Sequence, residues 1–178
     1  MARLLRDQGY TATGLAQVLA ESGVSNGSLY HHFPGGLEEL AEAALAASGE
    51  VVADVLRQVL ENAPDTATGI ARFLDIAARP DDGEPGCPIA PAALESPMIS
   101  TSLRATAAQC FAQWESLIAN RLKQDDWTQD AADQAASATL SLVEGALLLT
   151  RVSGKISHLA SAKEAVTALL ATVGRTTH

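Results

Sequence analysis

Residues 13–33 read TGLAQVLAESGVSNGSLYHHF. Apolar residues stand at helical spacing on both sides of Ser22-Gly23-Val24, and no alternation of period two runs through them. The pattern predicts a short helix from about Gly14 to Glu21, with Thr13 available as its N-cap. Ser25 then caps a second helix running to about His32, which Pro34-Gly35-Gly36 ends. Two short helices joined by a tight, glycine-containing turn make a helix-turn-helix. Val18 and Leu29 fall where that plan needs apolar packing, and Gly23 falls where the turn needs a positive φ.

Outward from this segment the chain stays helical. Toward the N-terminus, Leu4 and Leu5 before the Gly9-Tyr10 break look like the second half of a helix, truncated at Met1. Toward the C-terminus a long helix is expected over 37–61, with Glu38 and Glu39 in the first turn where the dipole favours them. Asn62-Ala63-Pro64 closes it, and a helix over about 66–78 follows. Arg79 to Gly86 is an acidic, breaker-rich loop. Pro88 to Glu95 reads as a short helix, and Ser96-Pro97 as the start of the next. That next helix carries Leu103, Ala107, Phe111, Trp114, Ile118 and Leu122 on one face. Thr128 caps a helix from about Gln129 to Val152. Ser161-Ala162-Lys163-Glu164 forms a capping box that opens the last helix. The expected fold is all-α, with about nine helices: a three-helix head over residues 1–46 and a helical-bundle body over 47–178.

Composition agrees with that class. Hydrophobic residues make up 47% of the 178 and aromatics only 4%, so the β-branched and aromatic mixture of a sheet protein is absent. No apolar leader opens the chain. The longest apolar stretch, Leu140 to Val152, carries Glu144 and Arg151 and is too short to span a bilayer. Cys87 and Cys110 read as free thiols. A soluble, cytoplasmic protein with no membrane partner is expected. The net charge of −9 argues against nucleic acid, and residues 1–48 carry two basic residues against five acidic, a balance of −3. A nucleic-acid interface here has to rest on something more specific than charge.

The helix-turn-helix supplies it. Its second helix would lie in the major groove with its N-terminal residues at the base edges. Ser25, Asn26 and Ser28 are small hydrogen-bonding residues there, and backbone N–H groups at that end can hold phosphate without formal charge. Gly23-Val24-Ser25-Asn26-Gly27 also spells G-x-S-x-G, but a nucleophile elbow needs a strand before the serine, and a helix precedes this one. His31 and His32 are adjacent on a helix and point about 100° apart, so they cannot share one ion. No Cys or His pair elsewhere has ligand spacing. No catalytic site, metal or cofactor is expected.

The run Gly9-Tyr10, Thr13, Ala20-Glu21-Ser22-Gly23-Val24-Ser25 and Gly27-Ser28-Leu29-Tyr30-His31-His32-Phe33-Pro34 resembles the DNA-binding domain of the TetR family. Gly35-Gly36, Gly86-Cys87-Pro88-Ile89-Ala90 and Glu95 resemble the LmrA/YxaF-like branch. The resemblance implies a homodimer that reads palindromic double-stranded operator DNA and is released by a small-molecule effector. It implies that Thr13, Tyr30 and His31 meet the DNA backbone, while Ser25, Asn26 and Ser28, with Gly27 among them, face the bases. Asn26 replaces a residue often basic in relatives, and Leu37 stands where this branch usually has Lys.

The resemblance also places the effector inside the body. Phe73, Phe111, Trp114 and Trp127 are the aromatics available to line a pocket or to fill the core. Phe73, Cys87, Phe111 and Trp114, with Cys110, Gln113 and Arg104 as polar edges nearby, are the expected pocket residues for an apolar or aromatic effector. The last two helices are implied as the dimer interface, through Leu140, Val143, Leu147, Leu148, Val166, Leu169, Leu170 and Val173. A TetR-like dimer without DNA binding, acting as a ligand-binding or interaction module, is the alternative.

Overall fold

Why the chain turns where it does is visible at its helix ends. The computed structural model describes residues 1–78 and 86–172, and among these there are nine helices and no strand. The helices are α1 (Ala2–Gln8), α2 (Leu15–Ser22), α3 (Asn26–His32), α4 (Leu37–Glu61), α5 (Thr66–Ala77), α6 (Ala90–Ile99), α7 (Thr101–Gln124), α8 (Gln129–Ser153) and α9 (Ser157–Thr172). The loop expected at Arg79 to Gly86 lies outside the described residues except for Gly86, and so does Val173. Contacts group the chain into two compact units. Met1–Val51 joins Pro88–Phe111, and the described part of Val52–Cys87 joins that of Ala112–His178. The boundary read at 46/47 falls inside α4.

In the first unit, Leu4, Leu5, Val18 and Leu29 are buried and hold α1, α2 and α3 together. Gly23 caps α2 in the left-handed region at φ 68°, donating its N–H to Leu19. Ser25 caps α3, its side chain accepting from the Ser28 N–H at 3.2 Å. The expected Thr13 cap is corrected: Gly14 is the N-cap of α2, with no side-chain hydrogen bond. Thr13 is 2% exposed, and its hydroxyl donates to the Gly9 carbonyl at 2.6 Å. Helix α6 also differs from expectation, continuing through Pro97 rather than stopping at Glu95. Ser100 then opens α7 by accepting from the Leu103 N–H at 3.1 Å. Gly49 lets α4 and α7 approach closely, since a Cβ there would collide with Cys110 Sγ.

In the second unit, α9 packs on both α8 and α5. Asp65 caps α5 through the Thr68 N–H at 2.7 Å, a bond that lowers its pKa. Arg121 fastens the turn between α4 and α5. Its Nε donates to Leu60 O at 3.1 Å, and its guanidinium also reaches Ala63 O and Pro64 O at 3.2 and 3.1 Å. The same guanidinium pairs with Asp125, whose other oxygen accepts the Thr66 N–H and hydroxyl at 2.8 and 2.6 Å. Helix α9 begins at Ser157, one turn before the capping box, so Ser161 is interior to it. By length and composition alone α8 could cross a membrane. Its apolar residues, however, divide between the core of this unit and one exposed strip.

Candidate DNA interface and effector unit

The α2–α3 pair presents a surface that the chain itself leaves open. Ser25, Asn26, Gly27, Ser28, Tyr30 and His31 are all exposed, while Leu29 between them is buried. Alternation of this kind follows from the helix period: Leu29 anchors α3 to α2 and its neighbours turn outward. Tyr30, 46% exposed, lies over the turn into α4, where a Cβ on Gly36 (φ 70°) would stand 3.1 Å from its ring. His31 and His32 meet edge to face, their ring centroids 5.0 Å apart. The Ser28 N–H is occupied by its cap bond with Ser25, so Asn26 and Gly27 remain as the amides at the open end of α3. Thr13 does not belong to this surface as a hydroxyl donor, because it is buried and bonded to Gly9.

Both cations of the head are engaged within the chain. Arg3 pairs with Glu21 at 2.5 Å and Arg6 with Asp7 at 3.2 Å. The exposed row on α3 is therefore uncharged at its tip, apart from what the two histidines can carry.

The expected pocket residues do not come together in one unit. Arg104, Cys110 and Phe111 belong to the first, and Phe73, Cys87 and Trp114 to the second. Cys110 is buried against Gly49, where burial and the nearby Glu50 raise its thiol pKa. It packs where α4 and α7 approach each other at Gly49. Arg104 is exposed and Trp114 is 1% exposed. Trp127 lines a cavity of about 370 Å³ in the second unit with Thr66, Leu122, Asp125 and Leu170. The residue the sequence did not single out is Glu144. Burial raises its carboxyl to about 7, partly offset by a hydrogen bond with the Cys87 side chain. Its signal was there to read: a single carboxylate inside an otherwise apolar run.

The residues expected at the dimer face divide by their exposure in the single chain. Leu140, Val143, Leu147 and Val166 are 8%, 2%, 3% and 1% exposed. They fill the core of their own unit, because α9 covers that side of α8. Leu169 and Leu170 are half-buried. Leu148 is exposed as expected, and with it stand Leu142, Leu149 and Val152 at 36%, 53% and 79%. Ala138, Leu142, Gly145, Leu149 and Val152 follow one another at spacings of four and three, the seam pattern of paired helices.

With a helix-turn-helix head and an all-helical body in place, the comparisons with known proteins define the class. Residues 2–44 match the family described as "Bacterial regulatory proteins, tetR family". Residues 65–165 match "Transcriptional regulator LmrA/YxaF-like, C-terminal domain". The chain belongs to the TetR family of helix-turn-helix transcriptional regulators, in its LmrA/YxaF-like branch. It is 35% identical to the uncharacterized HTH-type transcriptional regulator YxaF of Bacillus subtilis, over 84% of this chain and 80% of that one. It is 34% identical to the HTH-type transcriptional regulator LmrA of the same organism, over 83% and 80%. A TetR-family regulator from Cytophaga hutchinsonii shares the fold at TM-score 0.85 and 21% identity, over 99% of this chain and 92% of that one.

Proposed function

We propose that the protein is a cytoplasmic repressor without catalytic activity that holds a palindromic operator as a homodimer and releases it on binding a small apolar or aromatic effector. Residues 1–46 serve as the DNA-binding domain and 47–178 as the effector and dimer domain. The observation that carries it is the uncovered row Ser25, Asn26, Gly27, Ser28, Tyr30 and His31 on a helix-turn-helix of this family. Two such heads must sit about one duplex turn apart, roughly 34 Å, or a multiple of it. Paired through the exposed α8 seam, the two protomers set that separation. Effector binding tilts α4, which enters the head through Phe33-Pro34-Gly35-Gly36, and the separation changes. The effector must bind the non-operator form better, or it shifts nothing.

A mobility-shift assay on the DNA upstream of the protein's own gene, with and without small apolar compounds, tests this. A retarded band that an apolar compound dissolves is the expected result. No band at any concentration rejects DNA binding and leaves a ligand-binding dimer. A band that no compound dissolves keeps the operator and rejects induction.

A further inference from the structure

The α6–α7 junction touches the head through Glu95, Ser100 and Ser102. Glu95 of α6 lies in the segment matched by the C-terminal family domain, whereas Tyr10 and Thr11 lie in the DNA-binding segment. All three belong to the same compact unit. One carboxylate oxygen of Glu95 accepts both the Tyr10 and the Thr11 N–H, at 2.9 and 2.8 Å. These amides stand in the turn between α1 and α2, and α1 packs on α6. Gly9 is what lets the carboxylate in: it has φ 78°, and a Cβ there would collide with Glu95. The glycine of the Gly9-Tyr10 pair is thus required twice, by backbone conformation and by the side chain seated on it.

A few residues on, a second clasp closes. Ser100 donates to Glu38 at 2.5 Å. Ser102 donates to Glu42, and its hydroxyl oxygen stands 3.1 Å from the same Glu38 oxygen. Glu38 and Glu42 lie on the first turns of α4, within the DNA-binding segment. Tyr10 sits between the two clasps, its hydroxyl pKa raised by burial and by the charges of Glu38 and Glu42. The stretch from Glu95 to Ser102 therefore holds the head at both ends, at the turn that orients α2 and at the start of the helix that follows α3.

We infer that Glu95 is a positioning residue for operator binding: through the α1–α2 turn it lets the C-terminal domain set where the recognition helix points. Charge-assisted bonds to backbone amides are among the stronger hydrogen bonds. A head held this way needs no ordering when DNA arrives, which favours affinity. The inference rests on operator binding as proposed above.

The test uses the full chain and a duplex selected from random sequence by the unaltered protein. Operator affinity is measured by fluorescence anisotropy for Glu95→Ala, Glu95→Gln and the double variant Ser100→Ala/Ser102→Ala. Hydrogen exchange of the Tyr10 and Thr11 amides and the thermal midpoint are followed alongside. Glu95→Ala should bind at least tenfold more weakly, with both amides exchanging faster. Glu95→Gln keeps an oxygen where both amides can reach it and should stay within about threefold of the parent. A merely structural residue would not give that rescue at an unchanged thermal midpoint. Affinity for Glu95→Ala within twofold of the parent, with the amides deprotected, overturns the inference. Should Glu95→Ala not fold, the folded serine double variant decides. A tenfold loss supports the junction as the positioning element, and parental affinity overturns it. Failure of the parent protein to select any duplex overturns operator binding itself, and this inference with it.

Discussion

At the scale of single residues the chain is specified by small polar contacts. Ser25 does two things in one place: it caps α3 and stands exposed at the tip of the recognition helix. Ser25→Ala should cost about 1 kcal/mol of stability through the lost cap, read from urea denaturation, besides weakening DNA binding. Glu144 makes a prediction of opposite character. Its carboxyl titrates near 4.5 in the unfolded chain and at about 7 in the folded one, chiefly because burial disfavours the charge. The folded state therefore holds the proton more tightly. Its penalty is absent below the unfolded pKa, grows as pH rises between about 4.5 and 7, and is complete above that. Glu144→Gln should remove on the order of 3 kcal/mol of this pH dependence. Denaturation midpoints of parent and variant should converge at pH 4 and separate at pH 8, the variant being the more stable. Parallel pH profiles would show that the carboxylate is solvated after all.

At the scale of elements, α4 spans the residues its periodicity and the closing Asn62-Ala63-Pro64 mark, because a long amphipathic run between breakers has few other solutions. The corner after it is held by Arg121. Both Arg121 and Asp125 are largely buried, so Arg121→Met should lower stability by about 3 kcal/mol, leaving Asp125 without its cation and freeing three backbone carbonyls. Thermal denaturation checks this. Other elements were less legible, each for a nameable reason. Pro97 reads as a boundary because proline lacks an N–H, yet α6 runs on past it to Ile99. Ser161-Ala162-Lys163-Glu164 has the composition of a capping box, but the cap is chosen by where α9 can first pack, and that is a turn earlier. Thr13 looks like a cap until its hydroxyl meets the Gly9 carbonyl, a contact set by the tight turn at Gly9. On α8, apolar residues all round hide which side is core. Only the packing of α9 separates Leu140, Val143 and Leu147 from the exposed Leu142, Leu149 and Val152. The two helices of the head and the turn between them were legible because their signal is local, whereas the burial of Thr13 was not. The burial of Glu144 was not legible either, since a lone charge in an apolar run does not say which side of the helix it faces.

At the scale of the whole molecule, charge and assembly set the terms of binding. Only Arg3 and Arg6 are basic in residues 1–48, and each already has an acidic partner. A dimer thus brings at most about four such cations to the duplex, and the plot of log affinity against log salt should be no steeper than roughly −4. A slope near −8 would mean that the DNA-contacting surface lies elsewhere. Val152→Glu combined with Leu149→Glu puts charges into the α8 seam and should convert the dimer to monomers in sedimentation without unfolding the chain. Persistence of the dimer would assign the interface to other residues. The same seam carries a consequence for dosage. A single protomer shows Leu142, Leu148, Leu149 and Val152 to solvent, and under the proposed pairing a second copy covers them. Where pairing is the limiting step, operator occupancy climbs with the square of protomer concentration rather than in proportion to it. For the proposed repressor the rate of synthesis then becomes a control input of its own: halving the protomer concentration cuts operator occupancy to about a quarter, before any effector is present.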